Sequence, residues 1–276
     1  MTASRRARAA LIYGGVALLV LWTAVPLYWL GYLALSSKAI RLQEITPLLP
    51  WPPTTVNFAW LLSPTDSQAD FVRRGFANSL LVAVVATLVS LAVAVPGAYA
   101  VRQRRLRGVS ALLFALFVGR VYPPVAFVLP LFWLYARLAL LGTWYGLAAA
   151  YVGISVLLAL WLLVGVFGGL SPAVLAAARV DGNTPWQTFV RVALPLARPG
   201  IAAAAVVVFV GCWNEFALAQ FLTAGSSART FPVAVAPLLS GMPHELAAAS
   251  VVGILPTVAL VCVFRRSLTT LFPAPL

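Results

Sequence analysis

Charged residues are scarce in this sequence of 276 residues. They make up 9% of it, whereas 62% of the residues are hydrophobic. Soluble domains carry about one quarter charged residues, so the composition argues against an ordinary soluble fold. Several uncharged stretches reach about 20 residues, the length at which an α-helix crosses a hydrocarbon core about 30 Å thick. Backbone polar groups in lipid must pair within their own segment, which favours helices over open strands.

Side chains that perform chemistry are also sparse. The chain has six acidic residues, one histidine (His244) and two cysteines (Cys212 and Cys262). Both cysteines lie in apolar runs without metal-ligand spacing, which favours core filling over a disulfide or a metal site. His244 is expected to be an ordinary solvated residue of an outer loop. Because no glycine-rich phosphate loop is present, the sequence predicts a non-enzymatic subunit without catalytic residues, metal or a cofactor of its own.

The apolar runs predict an all-α membrane protein that forms a single transmembrane domain over residues 1–276. Six spans are predicted at about 10–35, 77–101, 109–136, 143–168, 199–222 and 246–264. The basic residues before the first run resemble the start of a signal peptide, but the run is too long and no small-residue cleavage site closes it. The outer segment 36–76 is long and rich in proline, and we expect it to be irregular.

The distribution of basic residues predicts the orientation. A net charge of +13 could indicate nucleic-acid binding, but the basic residues fall between the apolar runs. One side carries Arg5, Arg6, Arg8, Arg102, Arg104, Arg105, Arg107, Arg179, Arg191, Arg198, Arg265 and Arg266; the other carries Lys38, Arg41, Arg73, Arg74, Arg137 and Arg229. The side with twelve basic residues is predicted to be cytoplasmic, which places both termini inside.

The inner segment 171–198 carries its own helix boundaries. Ser171-Pro172 is a typical helix start, with a serine N-cap and proline at the first helical position. Asp181-Gly182 is a typical stop, because glycine accepts the left-handed conformation that ends helices. Thr184-Pro185 repeats the start signal. The segment therefore predicts two short helices separated by a sharp corner.

The second short helix is predicted to be amphipathic. Its apolar stripe consists of Trp186, Phe189, Val190 and Ala193, at helical spacing. Pro195 and Pro199 are expected to end this helix before the fifth span begins. Two interpretations remain open: the helix lies on the lipid headgroups, or the two helices form a knob that docks into a groove on a soluble partner.

The residues of this segment resemble the signature cytoplasmic loop of ABC importer permeases. The resemblance rests on Ala176-Ala177-Ala178-Arg179-Val180-Asp181-Gly182, followed by Trp186, Phe189, Leu194-Pro195-Leu196 and Pro199. It implies that the loop is a coupling helix that inserts into an ATPase subunit. The residues implied in coupling are Ala176, Ala177, Arg179, Asp181, Gly182, Trp186, Phe189 and Pro195. The family usually has glutamate where this chain has Ala176; a surface charge pair contributes at most about 1 kcal/mol, so altered rather than abolished coupling is expected.

Further segments resemble the carbohydrate-import branch, in particular the second, six-span permease of its pairs. They are Val25-Pro26-Leu27-Tyr28-Trp29, Phe76-Ala77-Asn78-Ser79-Leu80, Arg120 with Pro123-Pro124, Trp213-Asn214-Glu215-Phe216 and Phe231-Pro232-Val233-Ala234. The C-terminal tail departs from the usual pattern of the branch.

The resemblance implies a subunit of an ATP-driven importer for a carbohydrate or related polar solute, in a bacterial or archaeal cytoplasmic membrane. The implied partners are a second permease, two copies of an ATPase subunit that bind ATP and Mg, and an extracytoplasmic solute-binding protein.

Polar residues inside predicted spans suggest a pathway. Arg120, Asn214 and Glu215 lie in apolar runs, where charged groups usually pair or face a polar interior. Arg120 and Glu215 could form a buried ion pair that fixes the register of the helices. Alternatively, they line a solute cavity together with Tyr122, Asn214 and Gln220. A self-sufficient channel or secondary carrier is the alternative function, but it would not need the two-helix knob. The sequence does not identify the solute.

Overall fold

The computed structural model describes residues 3–37, 48–103 and 124–268, together with residues 108, 111, 114, 115 and 118. Helices and turns make up these ranges and no strand occurs within them, which confirms the helical fold class. The chain separates into two compact units. The first comprises residues 1–73 and 235–255, and the second comprises residues 74–234 and 256–276.

Eleven α-helices occur in the described ranges. They are α1 (Ala3–Leu35), α2 (Val56–Leu61), α3 (Ser67–Gln103), α4 (Val128–Arg137), α5 (Trp144–Gly168), α6 (Pro172–Val180), α7 (Pro185–Thr188), α8 (Leu194–Trp213), α9 (Ala217–Leu222), α10 (Phe231–Val235) and α11 (Pro243–Leu268). Two 3₁₀ turns (Pro124–Phe127 and Ala236–Ser240) and one π turn (Phe189–Ala193) connect neighbouring helices. Helix α2 and the start of α3 give regular structure to an outer segment that was expected to be irregular.

Five helical runs of the described chain are long and apolar enough to cross a membrane. They are Arg8–Leu35, Ser67–Gln103, Trp144–Gly168, Pro185–Trp213 and Pro243–Ser267. Four correspond to the predicted first, second, fourth and sixth spans. The predicted third span, 109–136, lies largely outside the described residues, and its described end contains the 3₁₀ turn and α4. The count of six spans therefore stays a prediction.

The fifth span differs from its predicted bounds of 199–222. The helical run begins at Pro185, continues through the π turn into α8 and ends at Trp213. Pro195 does not end the preceding helix, because it lies in the first turn of α8, where a backbone N–H is dispensable. Pro199 lies inside α8, and helices that cross membranes tolerate such a lost donor. Residues 214–216 then separate α8 from α9.

Small residues pack the first unit. Ala34 of α1 lies against Ala247 and Ala248 of α11, and all three are buried. The surrounding partly buried side chains are Leu30, Leu33, Phe58 and Val251. Alanine allows the two helix backbones to approach closely, as is common where helices associate in membranes.

Two buried polar side chains also hold the end of α1. Asn57 Nδ2 donates to the carbonyl oxygens of Ala34 (3.0 Å) and Ser36 (2.8 Å). His244 Nδ1 lies 3.2 Å from the Leu33 carbonyl oxygen, and only 6% of His244 is exposed. The expectation of a solvated loop histidine is wrong, because α11 begins at Pro243 and places His244 in its first turn.

In the second unit, α5 packs along α8. A Cβ atom added at Gly200 of α8 would lie 2.4 Å from Cγ1 of Val166, so only glycine permits this approach. The segment after α9 is held to α3 by side chains. Asn78 Nδ2 donates to the carbonyls of Ser227 (2.7 Å) and Arg229 (2.9 Å), and Ser79 Oγ accepts from the Phe231 amide (2.8 Å).

Candidate coupling loop and pathway residues

The first loop helix, α6, begins and ends where the sequence predicts. Ser171 occupies the N-cap position and Pro172 the first turn, although the serine side chain makes no capping hydrogen bond. At the other end, the Gly182 amide donates to the Arg179 carbonyl and the Asn183 amide donates to the Ala178 carbonyl, both at 3.1 Å. These two bonds form a Schellman motif, which satisfies carbonyls that the helix end leaves open.

The corner requires glycine for its backbone conformation. Gly182 has a φ of +83°, as predicted. An added Cβ would meet no atom within 4 Å, so space around Gly182 is not the constraint. In this left-handed region a β-carbon approaches the following carbonyl oxygen, which costs about 1–2 kcal/mol.

A capping box starts the second loop helix, α7. The Gln187 amide donates to Thr184 Oγ1 (3.2 Å), and the Thr184 amide donates to Gln187 Oε1 (2.9 Å). The two bonds satisfy otherwise unpaired donors at the helix start. Because α7 runs into α8 through the π turn, the second loop helix is the first part of the fifth span.

The predicted apolar stripe is split between two environments. Phe189 is only 7% exposed, whereas Trp186, one turn nearer the corner, is 68% exposed. Phe189 therefore belongs to the interior of this chain and does not form one exposed stripe with Trp186, while its role in coupling stays a prediction. The apolar surface that the loop does expose includes Val174, Val180 and Trp186.

Ring contacts and one arginine join the loop to two spans. The ring centroid of Phe189 lies 4.8 Å from that of Tyr99 in α3 and 5.4 Å from that of Trp186. Tyr99 in turn lies 5.6 Å from Phe167 in α5. The Arg179 guanidinium donates to Gln103 Oε1 and lies near the Tyr99 hydroxyl group. The remaining residues implied in coupling, Ala176, Ala177 and Asp181, are exposed on the loop.

Glu215 stabilises the break in the fifth span. Its Oε2 accepts from the Tyr151 hydroxyl (2.9 Å) and the Ala219 amide (3.1 Å), and its Oε1 accepts from the Leu218 amide (3.0 Å). The carboxylate thus satisfies two amide donors that α9 leaves open at its start. These bonds account for a carboxylate at this position without an ion pair.

The other predicted pathway residues fall into two groups. Asn214 and Gln220 are exposed, and Asn214 Nδ2 donates to the Val210 carbonyl (2.9 Å). Arg120 and Tyr122 lie outside the described residues. Both the ion pair with Glu215 and the shared cavity therefore stay predictions.

Sequence reasoning overlooked Tyr151, the side chain that ties α5 to Glu215. A usable signal was present, since a tyrosine within an apolar run needs a partner for its hydroxyl group. Its partner, Glu215, was the only acidic residue assigned to a predicted span.

The fold and the loop define a class: a helical, membrane-integral protein with a two-helix loop before its fifth predicted span. The chain belongs to the family described as binding-protein-dependent transport system inner membrane component, whose model matches residues 86–274. This match and the relatives below confirm the resemblance to ABC importer permeases of the carbohydrate branch.

Three relatives span nearly the whole chain. The trehalose transport system permease protein of Mycobacterium tuberculosis is 30% identical over 254 residues, 90% of either chain. The diacetylchitobiose uptake system permease protein of Streptomyces coelicolor is 29% identical and covers 91% of this chain and 83% of its own. The trehalose/maltose transport system permease protein of Thermococcus litoralis is also 29% identical, over 94% and 92%.

Solved structures share the fold. A chain of a bacterial ABC transporter involved in the import of the acidic polysaccharide alginate superposes with a TM-score of 0.78 at 22% identity, over 96% of this chain and 98% of its own. A second structure, of the alginate transporter in complex with a periplasmic protein bound to alginate pentasaccharide, gives 0.69 at 15% identity over 99% of both chains.

Proposed function

We propose that this chain is a permease subunit of an ATP-driven importer for a carbohydrate or a related polar solute. It has six spans, forms half of the translocation pathway and docks an ATPase subunit through the loop 171–198. The docking assignment rests on the hydrogen-bonded corner between the two short helices of this loop. A Schellman motif ends the first short helix, a capping box starts the second, and Trp186 of the second helix is exposed. The two helices together form one apolar knob.

The partners follow from what the chain does not supply. A second permease completes the pathway, two copies of an ATPase subunit bind ATP and Mg, and an extracytoplasmic binding protein delivers the solute. Closure of the ATPase pair on ATP moves the two docking loops together and switches the cavity between inward-facing and outward-facing arrangements by rigid-body motion. The named relatives from trehalose, maltose and diacetylchitobiose systems support a carbohydrate solute.

The docking assignment is tested by exchanging Trp186 for aspartate. We expect Trp186→Asp to release the ATPase subunit from an otherwise intact membrane complex, because a charge replaces the exposed apolar anchor. The loss of such an anchor typically weakens the binding free energy by about 2 kcal/mol or more, which is about a 30-fold drop in affinity. Co-purification on an affinity tag on this chain measures it. Leu62→Asp is the matched control, since Leu62 is similarly exposed (77%) on the outer segment.

Retention of the ATPase by the Trp186 variant would contradict the docking assignment. If the wild-type chain purifies with neither ATPase nor second permease and still transports solute in vesicles, it is a channel or secondary carrier. A binding screen of mono- and disaccharides against the cognate solute-binding protein tests the solute class. Binding of an amino acid or a peptide instead would overturn the carbohydrate assignment.

A further inference from the structure

Four aromatic rings lead from the exposed loop surface into the interior. They follow one another as Trp186, Phe189, Tyr99 and Phe167, with centroid separations of 5.4, 4.8 and 5.6 Å. The first ring is largely exposed, whereas Phe189 and Phe167 are both buried. All four belong to the second unit of the chain.

The three rings that follow Trp186 belong to three separate elements. Phe189 lies in the π turn at the start of the fifth span, Tyr99 lies near the inner end of α3, and Phe167 lies near the inner end of α5. Phe189 and Phe167 both contact Tyr99, so its ring joins the π turn to α5. Close-packed interiors transmit displacement, because no void takes up the shift of a ring.

A polar contact also joins the loop to α3 beside the rings. Arg179, at the end of α6, donates to Gln103 and lies near Tyr99, so the first loop helix is also attached to α3. Arg179 is thus turned toward its own chain. At the end of α5, the Arg102 guanidinium of α3 lies over Gly168, where an added Cβ would be 2.9 Å from it.

We propose that Phe189, Tyr99 and Phe167 are positioning residues that carry movement between the loop surface at Trp186 and the inner ends of α3 and α5. This inference rests on the proposed function, because the movement is that of a docked ATPase subunit. Tyr99 is its central residue. The contact is made by the tyrosine ring, and the hydroxyl group is secondary.

The experiment uses the complete complex in nanodiscs, with the solute-binding protein purified from its native host together with the solute bound there. The measured quantity is the ratio of ATP hydrolysis with and without the binding protein, which reports a signal crossing from the outer side to the ATPase. Tyr99→Leu and Phe167→Leu each remove one ring. We expect the ratio to fall by about threefold to about tenfold, the range over which coupling residues act.

Two variants serve as controls. Tyr99→Phe keeps the ring and should hold the ratio within about twofold of the wild type, since only the hydroxyl group is lost. Tyr145→Leu removes a ring near the outer end of α5, where its ring contacts that of Trp144. It should also leave the ratio unchanged.

Each outcome decides the proposal. Unchanged ratios in both leucine variants would overturn it, and so would an equal fall in Tyr99→Phe. Leucine variants that no longer assemble, judged by size-exclusion chromatography, would assign the rings to folding and overturn it as well. A wild-type complex that the binding protein does not stimulate would instead refute the proposed function. If the binding protein stimulates the wild type and both leucine variants to the same degree, only this inference is refuted.

Discussion

Glu215 illustrates how a chain can keep a carboxylate in an apolar span. An isolated charge there is costly, by about 3 kcal/mol on insertion scales. The three donors around Glu215 come from Tyr151 of α5 and from two amides at the start of α9. Hydrogen bonds to a charged group contribute about 1.5–3 kcal/mol each, enough to offset that cost. Glu215 therefore stabilises the interruption of the helix between α8 and α9, whatever else contacts its side chain.

Replacement of Glu215 separates this role from an ion pair with Arg120. Glu215→Met should lower the stability of the purified complex by about 3 kcal/mol, because two amides and a hydroxyl group lose their acceptor. Glu215→Gln should lose less, since one carbonyl oxygen remains. Thermal unfolding in detergent measures the change, and Gln220→Met, an exposed residue on α9, is the control. If Arg120→Met restores stability to the Glu215→Met chain, the ion pair exists; no rescue would leave the bonds within α5 and α9 as the explanation.

The corner of the loop makes a second prediction at a single residue. Gly182→Val should impair coupling between ATP hydrolysis and transport, because a β-branched residue at a φ of +83° costs at least about 1–2 kcal/mol. Gly182→Asn is the control, since asparagine accepts the left-handed conformation. ATP hydrolysed per solute imported is the measurement. Normal coupling in the valine variant would show that the corner can be lost without consequence.

At the scale of elements, local signals predicted helix ends well and long-range packing poorly. The fourth span was predicted at 143–168 and α5 covers Trp144–Gly168, because Thr143 caps it through a hydrogen bond from the Gly146 amide. The corner and the capping box were also predictable, since their bonds join residues within five positions. The bounds of the fifth span were not predictable in this way. Its π turn packs against Tyr99, and Glu215 at its break bonds Tyr151, and both tyrosines lie far away in the sequence.

Packing of α1 on α11 makes a prediction at this scale. Ala248 is fully buried against Ala34, so Ala248→Leu should force the helices apart. Overpacking of this kind typically costs about 1–3 kcal/mol. Ala259→Leu is the same change at an exposed position of α11 and should cost little. The unfolding temperature of each purified complex is the measurement, and equal effects of the two changes would contradict the close approach of the helices.

For the whole molecule, the basic residues predict the orientation in the membrane. The prediction is tested in chains whose two cysteines are replaced by alanine, so that single new cysteines can be labelled. Thr65→Cys, on the outer segment, should react with a membrane-impermeant maleimide in intact cells. Val180→Cys, which is 87% exposed on the loop, should react only after the cells are permeabilised. The reverse pattern would invert the orientation and move the loop away from any cytoplasmic ATPase.

The site as a whole was only partly predictable. The family resemblance located the loop in the sequence. Which loop residues are exposed and which are buried was not predictable, because it depends on the contact between Phe189 and Tyr99. The pathway residues were grouped by polarity alone. Of these, Glu215 has a role within its own chain, while Arg120 and Tyr122 lie in the part of the chain that the structure does not describe. Polarity indicates that a residue needs partners, but it does not identify them.

The unbroken helical run Pro185–Trp213 has a mechanical consequence. Its 29 residues extend about 44 Å, whereas the hydrocarbon core is about 30 Å thick. If Trp213 lies near the outer boundary of the core, about 14 Å of the rod projects on the loop side. The projecting part carries Trp186, and the same helical run ends at Trp213, directly beside the Asn214–Phe216 break. A displacement of the loop surface therefore has a continuous helical path to that break.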